Sequence, residues 1–206
     1  MCTWLRLRAE PPLPGAACNV AGVKLTRMQS FVAIAASAAA IVLPLAAAGT
    51  ASAADTCPTA APTGGTPQWT LTGATGSVAV TGSTDSAAPR VDVSTPFSVT
   101  STQVHTLQAG SGPVVPSTAK VTVCYMGVNG RDGSVFDSSY RRGAPVDFPL
   151  DGVIPGFQKA IAGQTVGSTV AVAMTSADGY PDGQPSAGIR QGDTLIFAIK
   201  ILGASG

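Results

Sequence analysis

Glutamate and histidine are almost missing from this chain: Glu10 and His105 are the only ones in 206 residues. That scarcity removes most familiar site chemistry. A Ser-His-Asp triad would have to use His105, and no serine stands in a Gly-x-Ser-x-Gly elbow. Zinc would need three or four ligands from one histidine, scattered aspartates and distant cysteines. His105 therefore reads as a solvated position on a strand face. Charge is scarce as well, at 11% of residues. From Ala54 onward eight Lys or Arg face ten Asp, a net of −2, which leaves nothing basic enough to hold nucleic acid. No phosphate loop and no paired-cysteine metal motif occur, so neither a cofactor nor a metal is expected.

The hydrophobic share, 45%, overstates the core because much of it is alanine near the N-terminus. Residues 31–48, FVAIAASAAAIVLPLAAA, follow Lys24 and Arg27 and precede Ala51-Ser52-Ala53. Basic region, apolar run and small-residue site together are the order of a secretory signal, with cleavage expected after Ala53. A membrane anchor is the competing reading, but the run is barely long enough to span and contains Pro44. Export is preferred, with membrane contact only through the uncleaved signal. The first 27 residues fit neither a signal nor a fold, and residues 1–53 read as a misassigned start followed by the signal.

Cys57 and Cys124 would then share an oxidising compartment. A disulfide is one outcome; a buried side chain at 124 with a free thiol at 57 is the other. Residues 54–67, rich in Thr, Pro, Ala and Gly, read as a flexible linker. Residues 68–96 hold short β segments: Trp69 to Leu71 and Ser77 to Val80 around Gly73 and Gly76, then Arg90 to Val93. These are either extra strands on a main sheet or a small module. Pro96 is expected to break the third segment from a run beginning at Phe97, and residues 97–206 form the main domain.

Within that domain Val121, Val123 and Tyr125 alternate with Thr122, Cys124 and Met126, which predicts a strand closed by Gly127. Asn129-Gly130-Arg131-Asp132-Gly133 is turn chemistry, and a second strand delivers Phe136 and Asp137. Pro155 opens a short helix carrying Phe157, Ala160 and Ile161, with Gly163 as its stop. Ser168 to Met174 reads as a strand, residues 175–192 as a long Gly/Pro-rich loop bearing Tyr180 and Ile189, and Asp193 to Leu202 as a last strand. The elements describe an α+β domain, a twisted antiparallel β-sheet wrapped around one short α-helix, with extra N-terminal β segments. An apolar pocket with one carboxylate suits a proline ring.

The order Tyr125-x-Gly127, Phe136-Asp137-Ser138-Ser139, Val153-Ile154-Pro155-Gly156-Phe157, Tyr180 and Thr194-Leu195-Ile196-Phe197 resembles the FKBP family of peptidyl-prolyl cis/trans isomerases, over about half the chain. The resemblance implies isomerisation of X-Pro bonds in exported proteins, without a covalent step. It also implies a monomer that binds proline-containing polypeptides and FK506-like macrolides. Carried over, the catalytic set is Tyr125, Phe136, Asp137, Ile154, Phe157 and Tyr180, and the substrate-binding set is Val146, Val153, Ile189 and Phe197. Phe157 would be the floor, the Ile154 N–H would hold a substrate carbonyl, and the Tyr180 hydroxyl would hold the carbonyl of the twisting bond. Phe148 is placed on the core side. Phe157 stands where the family usually has tryptophan and Val146 where it usually has an aromatic, so macrolide affinity is expected to be reduced. An FKBP-like binding or chaperone module with little activity is the alternative.

Overall fold

The computed structural model describes residues 56–62 and 64–206. The expected signal, its cleavage site and the start region lie outside those residues. In chain order the elements are β1 Trp69–Thr72, β2 Thr75–Thr81, β3 Arg90–Ser98, β4 Gln103–Gln108, β5 Lys120–Asn129 and β6 Val135–Ser138. There follow α1 Ser139–Arg142, β7 Val146–Pro149, α2 Pro155–Ile161, β8 Thr169–Met174 and β9 Leu195–Ser205. Among the described residues no helix is long and apolar enough to cross a membrane.

An antiparallel sheet of order β4-β8-β9-β5-β6, with β7 also paired to β5, forms the body of the domain. Strict alternation along β9 sends Leu195, Phe197, Ile199 and Ile201 to one face, where they meet Val121 and Val123 of β5 and Val170 and Val172 of β8. Onto this face α2 lays Phe157, Ala160 and Ile161, three apolar residues at helical spacing. Pro155 opens α2 where its missing N–H costs nothing. The helix lies hard against β8: a side chain at Gly156 would place its Cβ 2.7 Å from Met174 Sδ. The expected α+β architecture, a sheet around a short helix, is the one found.

Two expectations about strand ends are corrected. β5 continues through Gly127 to Asn129, because β9 pairs with it along that whole stretch while β6 pairs with it from Met126 to Val128. Gly127 is there for space: a Cβ would stand 2.6 Å from Phe136 and 2.8 Å from Phe197. β3 likewise runs through Pro96, which is tolerated because β3 is the edge of its sheet and needs no donor on its free side.

The N-terminal β segments are a separate three-stranded sheet of order β1-β2-β3, stacked on the far face of the main sheet. Val78, Val80 and Phe97 pack against Val128, Ala171, Ala173, Ile196 and Ala198. β8 is consequently buried along its whole length. A smaller cluster joins Cys57, Ala88, Cys124 and Tyr140. Cys57 and Cys124 are bridged, with Cα atoms 5.8 Å apart and a sequence separation of 67. By chain-entropy reasoning such a loop closure is worth about 4 kcal/mol.

Candidate active site

A cavity of about 300 Å³ opens between α2, the β5–β6 side of the sheet and the loop after β8. Phe157 forms its floor, 5% exposed, brought there by the first turn of α2. Three rings stand around it at steep angles: Phe197 at 5.1 Å between centroids, Phe148 at 5.3 Å and Tyr125 at 5.7 Å. Phe136 adds a wall, edge-on to Phe197 at 5.5 Å. These edge-to-face contacts fix the rings while leaving an apolar hollow between them.

Val146, Val153, Ile154 and Tyr180 complete the lining, with Gly152 at the rim. Ile154 caps α2: its carbonyl accepts from the Phe157 and Gln158 amides. The Ile154 N–H has no acceptor among the described residues, and neither does the Tyr180 hydroxyl. Both are thus available to a ligand. Tyr180 is placed by its loop, in which Ser176 Oγ donates to the Tyr180 carbonyl at 3.1 Å. Lys159 Nζ lies 2.8 Å from Asp178, tying the same loop back to α2.

The polar edge is a three-membered cluster. The Tyr125 hydroxyl donates to Asp137, whose other oxygen pairs with the Arg142 guanidinium. Arg142 also reaches the Tyr125 hydroxyl at 3.3 Å and lies over the Tyr125 ring at 5.9 Å. Partial burial pushes the Asp137 carboxyl up, but the bonds from Tyr125 and Arg142 outweigh it and hold Asp137 below the ordinary aspartate value. Burial first, and the bond to Asp137 second, raise the Tyr125 hydroxyl above its usual value. Asp137 is thus an ionised, doubly engaged carboxylate, a structural acceptor at the rim.

Of the ten residues expected at the site, nine line this cavity. Ile189 does not. It is 2% exposed and buried in the main core, because a bridge between Gln184 and Ile189 folds the loop inward. Phe148 is corrected in the opposite sense, since it lines the cavity. Arg142 was not anticipated: nothing in the sequence separates it from Arg141 until α1 turns it toward Asp137.

Residues 105–202 match the family described as FKBP-type peptidyl-prolyl cis-trans isomerase. A probable FK506-binding protein from Corynebacterium glutamicum is 36% identical over 96 residues, 46% of this chain and 80% of that protein. The FKBP-type 22 kDa peptidyl-prolyl cis-trans isomerase of Escherichia coli is 36% identical over 100 residues, 48% of each chain. A crystal structure of a peptidyl-prolyl cis-trans isomerase from Pseudomonas syringae pv. tomato is similar at a TM-score of 0.46 and 28% identity, covering 51% of this chain and 76% of that one. The chain spans less than half the length of the first curated relatives, 48% of the Escherichia coli protein and 43% of the Mip isomerase of Coxiella burnetii. With four-fifths of the Corynebacterium protein matched at this identity, the chain belongs to the FKBP-type peptidyl-prolyl cis-trans isomerases.

Proposed function

We propose that the protein is a peptidyl-prolyl cis/trans isomerase that acts on X-Pro bonds of exported polypeptides. The observation that carries this reading is the apolar hollow over Phe157, walled by Tyr125, Phe136 and Phe197, with two unengaged donors at its edge. Rotation about a peptide bond faces a barrier of about 18–20 kcal/mol because conjugation is lost at the twisted geometry. The twisted amide is less polar at its carbonyl than the planar one, so a water-poor aromatic hollow favours it over the ground state. In this reading the proline ring sits on Phe157, and Val146, Val153 and Phe197 complete the contact. The Ile154 N–H holds a carbonyl of the bound peptide. The Tyr180 hydroxyl holds the carbonyl of the twisting bond. No covalent intermediate is formed.

The Cys57–Cys124 bridge supports an oxidising compartment and, with the basic-apolar-small order of residues 24–53, export through a cleaved signal. A second reading, a binding or chaperone module with little turnover, draws on Val146. This half-buried aliphatic leaves the wall beside Phe148 lower than an aromatic would. An FK506-like macrolide would then compete for the hollow with modest affinity. The deciding experiment follows cis-to-trans conversion of an X-Pro peptide with the purified protein. Uncatalysed conversion takes tens of seconds or longer, so acceleration is plain to see. A rate equal to buffer leaves only the binding reading.

A further inference from the structure

The outer edge of β5 has a gap. β7 pairs with it from Lys120 to Val123 and β6 from Met126 to Val128, so Cys124 and Tyr125 have no strand opposite them on that side. α1 crosses the gap and fills it with a side chain. Ser139 Oγ accepts the Tyr125 N–H at 2.8 Å and lies 3.3 Å from the Tyr125 carbonyl, standing in for the missing strand. On its other side Ser139 Oγ lies 3.4 Å from Cys57 Sγ. The Cys57 N–H donates to the Gly143 carbonyl at 3.2 Å, at the far end of α1. Cys57 thus touches α1 at both ends and is bonded to β5 through Cys124. Tyr140, in the middle of α1, is 2% exposed and packed with Cys57, Ala88 and Cys124, with its hydroxyl 2.8 Å from Ser83 Oγ.

We propose that the Cys57–Cys124 bridge and Ser139 are positioning elements for the site, holding α1 so that Arg142 and Tyr125 meet Asp137; this rests on the isomerase reading above. Beside this support α1 has its own caps, Ser138 Oγ accepting the Arg141 N–H at 3.4 Å and the Gly143 N–H donating to the Tyr140 carbonyl. α1 is a single turn of four residues, too short to hold its own shape, and Arg142 is its last residue. Arg142 is exposed at its solvent side, so its direction is set by the backbone beneath it. Cys57, Cys124 and Ser139 do not themselves line the cavity, whereas Tyr125, whose backbone Ser139 holds, does. Cys57 therefore reaches the rim of the pocket by two routes, through α1 to Arg142 and through Cys124 to its neighbour Tyr125.

The test compares the purified protein with Cys57→Ala/Cys124→Ala, and with Ser139→Ala, which keeps the bridge and removes the hydroxyl. Two quantities are read well below each melting temperature: kcat/KM on an X-Pro peptide, and the titration midpoint of the Asp137 carboxyl by carbon NMR. The double variant is expected to lose about tenfold in kcat/KM and to raise the Asp137 midpoint toward the ordinary aspartate value. An unmoved midpoint overturns the proposal even if activity falls, because the bridge then acts on stability alone. A wild-type protein without isomerase activity defeats the functional reading instead, and the midpoint by itself then decides the positioning. If the double variant does not fold, Ser139→Ala decides by the same two readouts.

Discussion

The ring of Phe148 meets that of Phe157 at 64° with centroids 5.3 Å apart, which makes Phe148 part of the cavity wall. Phe136 and Phe148 therefore both line one hollow. Phe136→Ala and Phe148→Ala are each expected to lower kcat/KM by about tenfold, since each removes on the order of 1.5 kcal/mol of apolar contact with a bound proline. Leu150→Ala supplies the contrast. Leu150 is fully buried away from the cavity, so its loss costs about 2–5 kcal/mol of stability with kcat/KM kept. Thermal denaturation and peptide isomerisation on the same samples separate the three; a Phe148→Ala protein as active as wild type would put Phe148 back in the core.

The depressed Asp137 carboxyl sets the acid limit of the site. Its stabilising bonds are present above the ordinary aspartate value of about 4 and are lost as pH falls below that through the folded value. Activity should be flat on the acid side down to about pH 4 and fall only below it. Arg142→Gln removes the cation and leaves the Tyr125 bond, so the acid limb should move to higher pH. A pH–rate profile of both proteins checks the sign. Two superimposable acid limbs would exclude Arg142 as the source of the shift.

Gly127→Ala tests how closely the walls are set. The added Cβ would crowd Phe136 and Phe197 at 2.6 and 2.8 Å, so one or both rings must shift into the hollow. A rise in KM is expected, with a stability loss of about 1–3 kcal/mol. Unchanged KM with lowered stability would show that the rings yield toward the core.

Phe97→Ala addresses the interface between the two sheets. Phe97 is 2% exposed there, and its removal should cost about 3–5 kcal/mol. The pocket lies on the opposite face of the main sheet, so kcat/KM below the melting temperature should stay within about twofold, a difference of under 0.5 kcal/mol. Loss of activity in a fully folded Phe97→Ala protein would mean that the second sheet bears directly on the site.

How much of this was readable in the sequence depends on the residue. The cavity set was legible because aromatics, a carboxylate and an aliphatic pair occur in a fixed order, and the strands around them alternate cleanly. Phe148 carried a signal that was read incorrectly: it lies two residues from Val146 on β7, and residues i and i+2 of a strand share a face. Ile189 carried the reverse, a single apolar residue in a loop whose inward fold only the Gln184 bridge determines. Arg142 had no local signal, since its partner Asp137 is reached by the turn of α1. The second sheet was half visible. Ala171, Ala173, Ile196 and Ala198 make the middle of the far face of β8 and β9 apolar, with polar Thr169 and Lys200 only at its end, which is how strands read when both faces are covered.

That covered far face changes where the molecule can be cut. The stretch that carries the family likeness, residues 105–202, holds the pocket but not Val78, Val80 or Phe97, and it leaves out Cys57. Excised on the strength of the likeness alone, it would present Val128, Ala171, Ala173, Ile196 and Ala198 to water as one greasy plane beside the open edge of β4. Such a plane next to an unpaired strand invites chains to stack on one another. The smallest soluble form of this protein should therefore begin upstream of Cys57, well before the residues by which its family is known.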